Sequence, residues 1–227
     1  MRRWRGSTGL QIFDGYGQTE TVNLVANYRC LPVREGSMGK PTPGFDVRIV
    51  DEAGVELPPG ETGHVGVRVS PERPVGLFRE YWRDPPATAN AYFGDFYDTG
   101  DLARADEDGY LWFVGRADDV ITSSAYRIGP FEVESALVEH PAVAEAAVVG
   151  KPDELRGEIV EAFVALKRGY DPSDRLAKEL QEHVKRLTAP YMYPREMEFL
   201  AELPKTVSGK IRRVELRERE RTADGAG

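Results

Sequence analysis

Between residue 10 and about residue 117 the chain offers only short extended segments, "LQIFD", "FDVRIVD", "GHVGVRV" and "GYLWFVG". They are separated by the turn-rich "PTPG", "LPPGETG" and "DEDG". Runs of this length bounded by Gly, Pro and Asp predict an irregular, mostly β region. After residue 130 the period changes: "PFEVESALVEHP" places Val133, Ala136 and Leu137 on one helical face, while "VAEAAVVG" and "EIVEAFVAL" read as strands. The clearest helix starts in "DPSDRLAKELQEHVKRL", with Asp171 as cap, Pro172 in the first turn, and Leu176, Leu180, Val184 and Leu187 lining one face. Between the halves, "GRADDVITSS" is polar and without period, as a linker or hinge is, and the boundary is expected near Asp118. The fold class predicted is therefore α/β of the α+β kind. A β-rich subdomain over 1–117 precedes a small α/β domain over 118–220, and a disordered tail, 221–227, follows.

Composition excludes several functions. The 227 residues are 41% hydrophobic and 30% charged, an ordinary globular balance. A net charge of −8 gives no attraction to nucleic acid or an anionic membrane, so any bound anion must be held locally. One cysteine, Cys30, cannot pair internally, and His64, His140 and His183 show no zinc spacing with it. No apolar stretch follows the basic "MRRWRGSTGL" as in a signal peptide, and none is long enough to span a bilayer. The expectation is a reducing compartment, cytoplasmic, or matrix-type if something upstream has been lost.

The chemistry-bearing residues fall in five short segments. "DGYGQTET", residues 14–21, sets two glycines around a tyrosine and follows them with Gln18, Thr19 and Glu20, a set able to contact a flat ligand through backbone and side chains. On those residues alone, a strand entering a polar turn is the better reading. "YDTGDLARADEDGYLWFVGRADD" presents Asp101 and Arg116 just outside probable strands; a carboxylate accepts from vicinal hydroxyls and an arginine donates in a fork, but either could be half of a surface ion pair. "ELPKTVSGKIRR" carries Lys210 on a loop with Thr206, Ser208 and Gly209, where a cation can meet charge developing on phosphate; the plainer reading is a helix start with solvated cations. "SSAYRIGP" and "KPDELRGEIV" add Ser123, Ser124, Arg127 and Arg156. "GSTGL" lacks the lysine of a phosphate loop and reads as a helix end and a turn.

In this order, "GYGQTET", "YDTGD", "GRADDVI", "YRIGPFEVE" and "PKTVSGKIRR" resemble the adenylate-forming (AMP-binding) superfamily of acyl-CoA synthetases, luciferases and peptide-synthetase adenylation domains. The wording from about residue 4 to 220 is most similar to medium-chain acyl-CoA synthetases. The resemblance implies that the chain is the carboxy-terminal part of such an enzyme: residues 1–117 end the large AMP-binding domain, and 118–220 form the mobile carboxy-terminal domain. The glycine-rich phosphate loop and much of the acyl pocket would come from an amino-terminal region, absent or supplied by another chain.

The same resemblance implies roles by position. Asp14, Gly15, Tyr16, Gly17, Gln18 and Thr19 would line the ATP site, and Glu20 would help hold Mg²⁺. Asp101 would take the ribose hydroxyls, with Arg116 supporting the same nucleotide. Lys210 would stabilise the charge shared by the attacking carboxylate, the α-phosphate and the leaving pyrophosphate. After rotation about Asp118, Ser124, Ala125, Tyr126, Arg127, Arg156 and Lys185 would contact coenzyme A. Ala125 stands where relatives have glycine, and Met192 where close relatives have lysine, the latter read as a surface change. The activity implied is AMP-forming ligation of a medium-chain or related carboxylic acid to CoA. The alternatives are an inactive remnant that binds nucleotide, CoA or a partner without turnover, and a peptide-synthetase adenylation domain.

Overall fold

A computed structural model describes residues 2–124, 126–207 and 209–224. The chain divides into two compact units, Met1–Ala117 and Asp118–Gly227.

The first unit opens with α1 (Arg2–Thr8), which ends where Gly9 turns left-handed at φ 71°. A three-stranded antiparallel sheet follows, built from β1 (Gly15–Gln18), β2 (Val22–Ala26) and β3 (Lys40–Pro41) in that order. "LQIFD" is not a strand: Leu10, Ile12 and Phe13 are exposed, and extended pairing starts at Gly15. A five-stranded sheet contains β4 (Val47–Val50), β5 (Thr62–Arg68), β6 (Tyr92–Phe93), β7 (Phe96–Ala105) and β8 (Leu111–Arg116), with α2 (Pro85–Asn90) before β6. Its order is β4-β5-β7-β6, and β8 also pairs with β7. Leu24, Val25, Ile49, Val65, Val67, Tyr97 and Leu111 form the core of this unit.

In the second unit, one sheet runs β10-β9-β12-β11, with β13 parallel to β12. The strands are β9 (Ile121–Ser123), β10 (Tyr126–Ile128), β11 (Val143–Asp153), β12 (Gly157–Leu166) and β13 (Glu196–Phe199). Three helices accompany them: α3 (Pro130–Glu139), α4 (Asp174–Leu187) and α5 (Arg213–Asp224). Helices cover both faces, which is why β11 and β12 read as nearly continuous apolar runs. Val148, Val160, Ala162 and Val164 pack with Val133, Leu137, Leu180 and Val184 of α3 and α4. The alternate residues Ala147, Val149, Phe163 and Ala165 pack with Leu203 and with Leu216 of α5.

Three details differ from the sequence reading. Ser173, not Asp171, caps α4: its Oγ accepts from the Leu176 N–H at 3.2 Å, so the helix begins two residues later. Leu187, at the last turn of α4, is half exposed. Met192 lies in the core beside Leu180 and Val184, where its flexible apolar chain fills space, and is not a surface residue. In addition, α5 continues to Asp224, past the point where the tail was expected to begin.

Candidate functional site

In the first unit, the site is organised by a bulge in β7. Asp98 pairs with Gly66 and Leu102 with His64, so Thr99, Gly100 and Asp101 stand opposite the single Val65. Gly100 takes φ 71°, and a β-carbon there would lie 2.8 Å from Arg116 Nη2. Thr99 Oγ1 donates to Val65 O at 3.0 Å and accepts from the Asp101 N–H at 3.2 Å, which fixes the bulge. Asp101 is therefore mid-strand, not beyond a strand end as its motif predicted, and Arg116, the last residue of β8, is its cross-strand partner.

Three donors meet around that carboxylate and its neighbouring carbonyl. Tyr16 Oη donates to Asp101 Oδ2 at 2.6 Å, and Gln18 Nε2 donates to the same oxygen at 3.0 Å and to Thr99 O at 2.7 Å. Arg116 Nη1 donates to Asp101 Oδ1 at 3.3 Å and to Thr99 O at 3.1 Å. Tyr97, fully buried, donates to Gln18 Oε1 at 3.2 Å and fixes the orientation of that amide. Asp101 is only 5% exposed, and burial raises its pKa above the usual carboxylate value, partly offset by Tyr16, Arg116 and Gln18. Burial, and then the Asp101 charge, push the Tyr16 phenol strongly upward, so it remains a donor across the physiological range. Asp101 Oδ1 carries one long bond, and a carboxylate accepts about four, so acceptor capacity remains for a ligand hydroxyl.

The glycines of "DGYGQTET" have a local cause. A β-carbon on Gly17 would fall 1.7 Å from Val22 O, and one on Gly15 would fall 2.8 Å from Asn23 Oδ1, because β2 folds back closely on β1. The turn between them is held by Gln18 N–H donating to Thr21 Oγ1 at 2.9 Å, and it leaves Thr19 exposed. Asp14 joins through its backbone oxygen, which accepts from Asn27 N–H at 2.9 Å. Glu20 is half-buried, and its Oε1 accepts from Tyr81 Oη at 3.1 Å. Sequence reasoning missed Tyr81, Tyr97 and Thr99. Tyr97 and Thr99 sat inside the quoted "YDTGD", but Tyr81 lies outside every motif and carries no local signal.

In the second unit, Ser124, Tyr126, Arg127 and Arg156 gather around the β9–β10 turn. Ser124 holds φ 56°, and its N–H donates to Arg156 O at 2.8 Å. Tyr126 and Arg127 are exposed on β10, and the Tyr126 ring stacks on Tyr191 at 4.0 Å with planes 12° apart. Tyr191 was not foreseen. Ala125 lies outside the described residues, as does Ser208. Lys185 projects from α4 instead, with Glu182 as its ion pair and the Tyr193 ring 4.2 Å from its Nζ. Lys210 closes a tight hairpin. Thr206 N–H donates to Lys210 O at 2.8 Å, Lys210 N–H donates to Thr206 Oγ1 at 3.1 Å, and Gly209 takes φ 84°. Its side chain is exposed at the tip.

Among the described residues no cluster of three or more His, Cys, Asp or Glu could hold a metal ion. A single carboxylate such as Glu20 nonetheless fits Mg²⁺, which binds through one or two carboxylates together with substrate phosphates. No helix among them is long and apolar enough to cross a membrane.

Comparison with known proteins identifies relatives of both units. The AMP-binding enzyme family matches residues 1–82, and the AMP-binding enzyme C-terminal domain matches residues 132–210. A mitochondrial acyl-coenzyme A synthetase of Mus musculus is 58% identical over 222 residues, covering 97% of this chain and 38% of that protein. The chain thus spans about 38% of the length of that relative. An anthranilate CoA ligase solved with anthranoyl-AMP superposes with a TM-score of 0.87 at 37% identity, covering 99% of this chain and 42% of that one. A benzoate CoA ligase from Burkholderia xenovorans superposes at 0.81 and 37% identity, covering 95% and 42%. With both of its units matched and its motifs in the family's order, the chain belongs to the AMP-binding enzymes.

Proposed function

We propose that this chain carries the nucleotide-contacting and coenzyme-A-contacting residues of an AMP-forming acyl-CoA synthetase acting on a medium-chain or related carboxylic acid. The observation that carries the reading is the buried Asp101, held by Tyr16, Gln18 and Arg116 on a bulged strand with an oxygen still able to accept. A buried carboxylate so oriented is suited to a diol such as the ribose of ATP.

In the first half-reaction, a carboxylate oxygen of the acid bonds to the α-phosphorus of ATP and the bond to pyrophosphate breaks. Asp101 fixes the ribose, and Arg116, with a half-exposed guanidinium, neutralises charge on the same nucleotide. The 14–19 segment lines the base and phosphates, and Gln18 is held in place by Tyr97. Lys210, exposed on a hairpin of fixed shape, supplies positive charge to the oxygens of the α-phosphate and leaving group. Mg²⁺, when bound through Glu20, neutralises phosphate charge. In the second half-reaction, the thiol sulfur of coenzyme A bonds to the acyl carbon and the bond to AMP breaks. Ser124, Ala125, Tyr126, Arg127 and Arg156 meet the coenzyme, with Lys185 further along α4, and Asp118 is the hinge about which the second unit exchanges roles.

The reducing compartment expected from a lone exposed Cys30 is either the cytoplasm or, as with the mouse relative, the mitochondrion. A second reading, nucleotide or CoA binding without turnover, needs only the ligand-accepting Asp101 cluster and the exposed Tyr126 and Arg127. The deciding experiment measures AMP release with ATP, Mg²⁺, CoA and a panel of butyrate, octanoate and benzoate, beside Lys210→Ala. Acid-dependent AMP lost in the variant supports the synthetase. Saturable ATP binding by the folded chain, weakened by Asp101→Asn and without AMP release, supports binding alone.

A further inference from the structure

The second unit contains a charge cluster that the reaction as described does not use. Arg213, the first residue of α5, is bidentate to Glu134 of α3, with Nη2 2.8 Å from Oε1 and 2.7 Å from Oε2, and Nε also donates to Oε1 at 3.1 Å. Its Nη1 reaches Asp119 Oδ2 at 3.4 Å. Arg217, one turn along α5, donates from Nη1 to Asp119 Oδ1 at 2.8 Å and to the Asp118 carbonyl at 3.0 Å. Glu134 Oε1 in addition accepts from the Val148 N–H of β11 at 2.9 Å. The carboxylates are nearly buried, with side chains 12% exposed at Asp119 and 11% at Glu134, while the two arginines are about one quarter exposed. Two cations and two anions therefore form a neutral, largely desolvated quartet, and such groups hold fixed geometry because an unpaired member is costly.

Its position gives the quartet a task. Asp118 and Asp119 are the first two residues of the second unit. Arg213 follows Lys210 by three residues, and the intervening chain is tied down by Arg212 N–H donating to Pro204 O at 2.9 Å and by a bridge between Lys205 and Ile211. We propose that Arg213 and Arg217 are positioning residues that fasten the Lys210 hairpin to the segment directly after the hinge, so that Lys210 and Asp118–Asp119 move as one body. The chain between hinge and lysine, over ninety residues long, is thereby short-circuited by two side chains. This rests on the reading of Lys210 and Asp118 given above, and it names what transmits the hinge angle to the lysine.

The test reads coupling directly, by hydrogen–deuterium exchange on the 227-residue chain. Asp119→Asn alters the linker side alone. Exchange is expected to quicken about tenfold in both 118–123 and 204–213, with β11 and β12 unchanged, because sub-global opening is confined to the fastened elements. Arg217→Gln, which leaves the pair between Arg213 and Glu134 intact, is expected to give a smaller change in the same two segments. Arg213→Lys is expected to lie between the unmodified chain and Arg213→Met. A loosened linker with an unchanged hairpin overturns the proposal, as does equal loosening of β12 with both segments, which is the signature of a merely structural role. Coupled loosening with unaltered acid-dependent ATP–pyrophosphate exchange leaves the fastening in place and counts against the role of Lys210 instead.

Discussion

Asp101 and Arg116 are register partners across β7 and β8, with Nη1 3.3 Å from Oδ1, yet one side chain is 7% exposed and the other 46%. The pair is therefore asymmetric, and its two members respond differently to removal. Arg116→Ala leaves a carboxylate still held by Tyr16 and Gln18 and is expected to cost less than about 1 kcal/mol, as half-exposed ion pairs do. Asp101→Ala strands the Tyr16 hydroxyl in a buried place and is expected to cost roughly 1–3 kcal/mol. Urea denaturation of the two variants checks the order, and equal losses refute the asymmetry.

Gly17 tolerates no side chain. A β-carbon 1.7 Å from Val22 O forces β1 and β2 apart, so Gly17→Ala is expected to release Tyr16 and Gln18 from Asp101 as well. Fluorescent ATP-analogue titration reads this as affinity lost about as fully as in Asp101→Asn, by the loss of charge-assisted and oriented hydrogen bonds worth roughly 1.5–3 kcal/mol. Unchanged affinity would show that the hairpin geometry is irrelevant to the nucleotide.

Ser124 holds φ 56° without being glycine. Ser124→Gly removes the steric cost of that conformation and is expected to stabilise the second unit by about 0.5–1 kcal/mol, read as a raised Tm by calorimetry. A lowered Tm would mean that the hydroxyl contributes more than the strain removes.

His183 makes the second unit sensitive to acid. Burial, then the neighbouring His140 and Arg186, lower its pKa from the usual 6.5, against the Ala136 backbone and Glu139, which raise it. The folded state thus prefers the neutral ring, and the unfolded chain binds more protons in the window below about 6.5. Stability associated with His183 is full above that value and is lost as pH falls through the depressed folded value. Its Nε2 is buried without a hydrogen-bond partner, in keeping with a neutral ring. Thermal melts between pH 7.5 and 5 are expected to fall more steeply for the unmodified chain than for His183→Leu, and parallel curves would refute the assignment.

Where a segment's neighbours were adjacent in sequence or its period was strong, the sequence was sufficient. Val133, Ala136 and Leu137 are buried on α3, and the runs around Val148 and Phe163 are the two longest strands of the second unit. What was illegible depended on distant partners. β7 was hidden because "YDTGD" reads as a loop, and only the bulge opposite Val65 lets three such residues remain in a strand. Asp101 and Arg116 were picked out as separate loop-end charges, and their pairing required the β7–β8 register. Tyr97 and Tyr81 reach Gln18 and Glu20 across more than sixty residues, a distance no local motif encodes. Met192 looked like a surface substitution because its burial depends on α4 packing over it.

Leu203 and Leu216 enter the same small apolar cluster from opposite ends of the segment that bears Lys210. Between these two anchors the chain rises to Val207, which is wholly exposed and contributes nothing to packing. The anchors carry the inheritance of the fold, and the tip is free to drift. The exposed Val207 can therefore be exchanged without disturbing the core beneath, whereas Thr206 and Gly209 carry the bonds and the left-handed turn that shape the chain around the lysine.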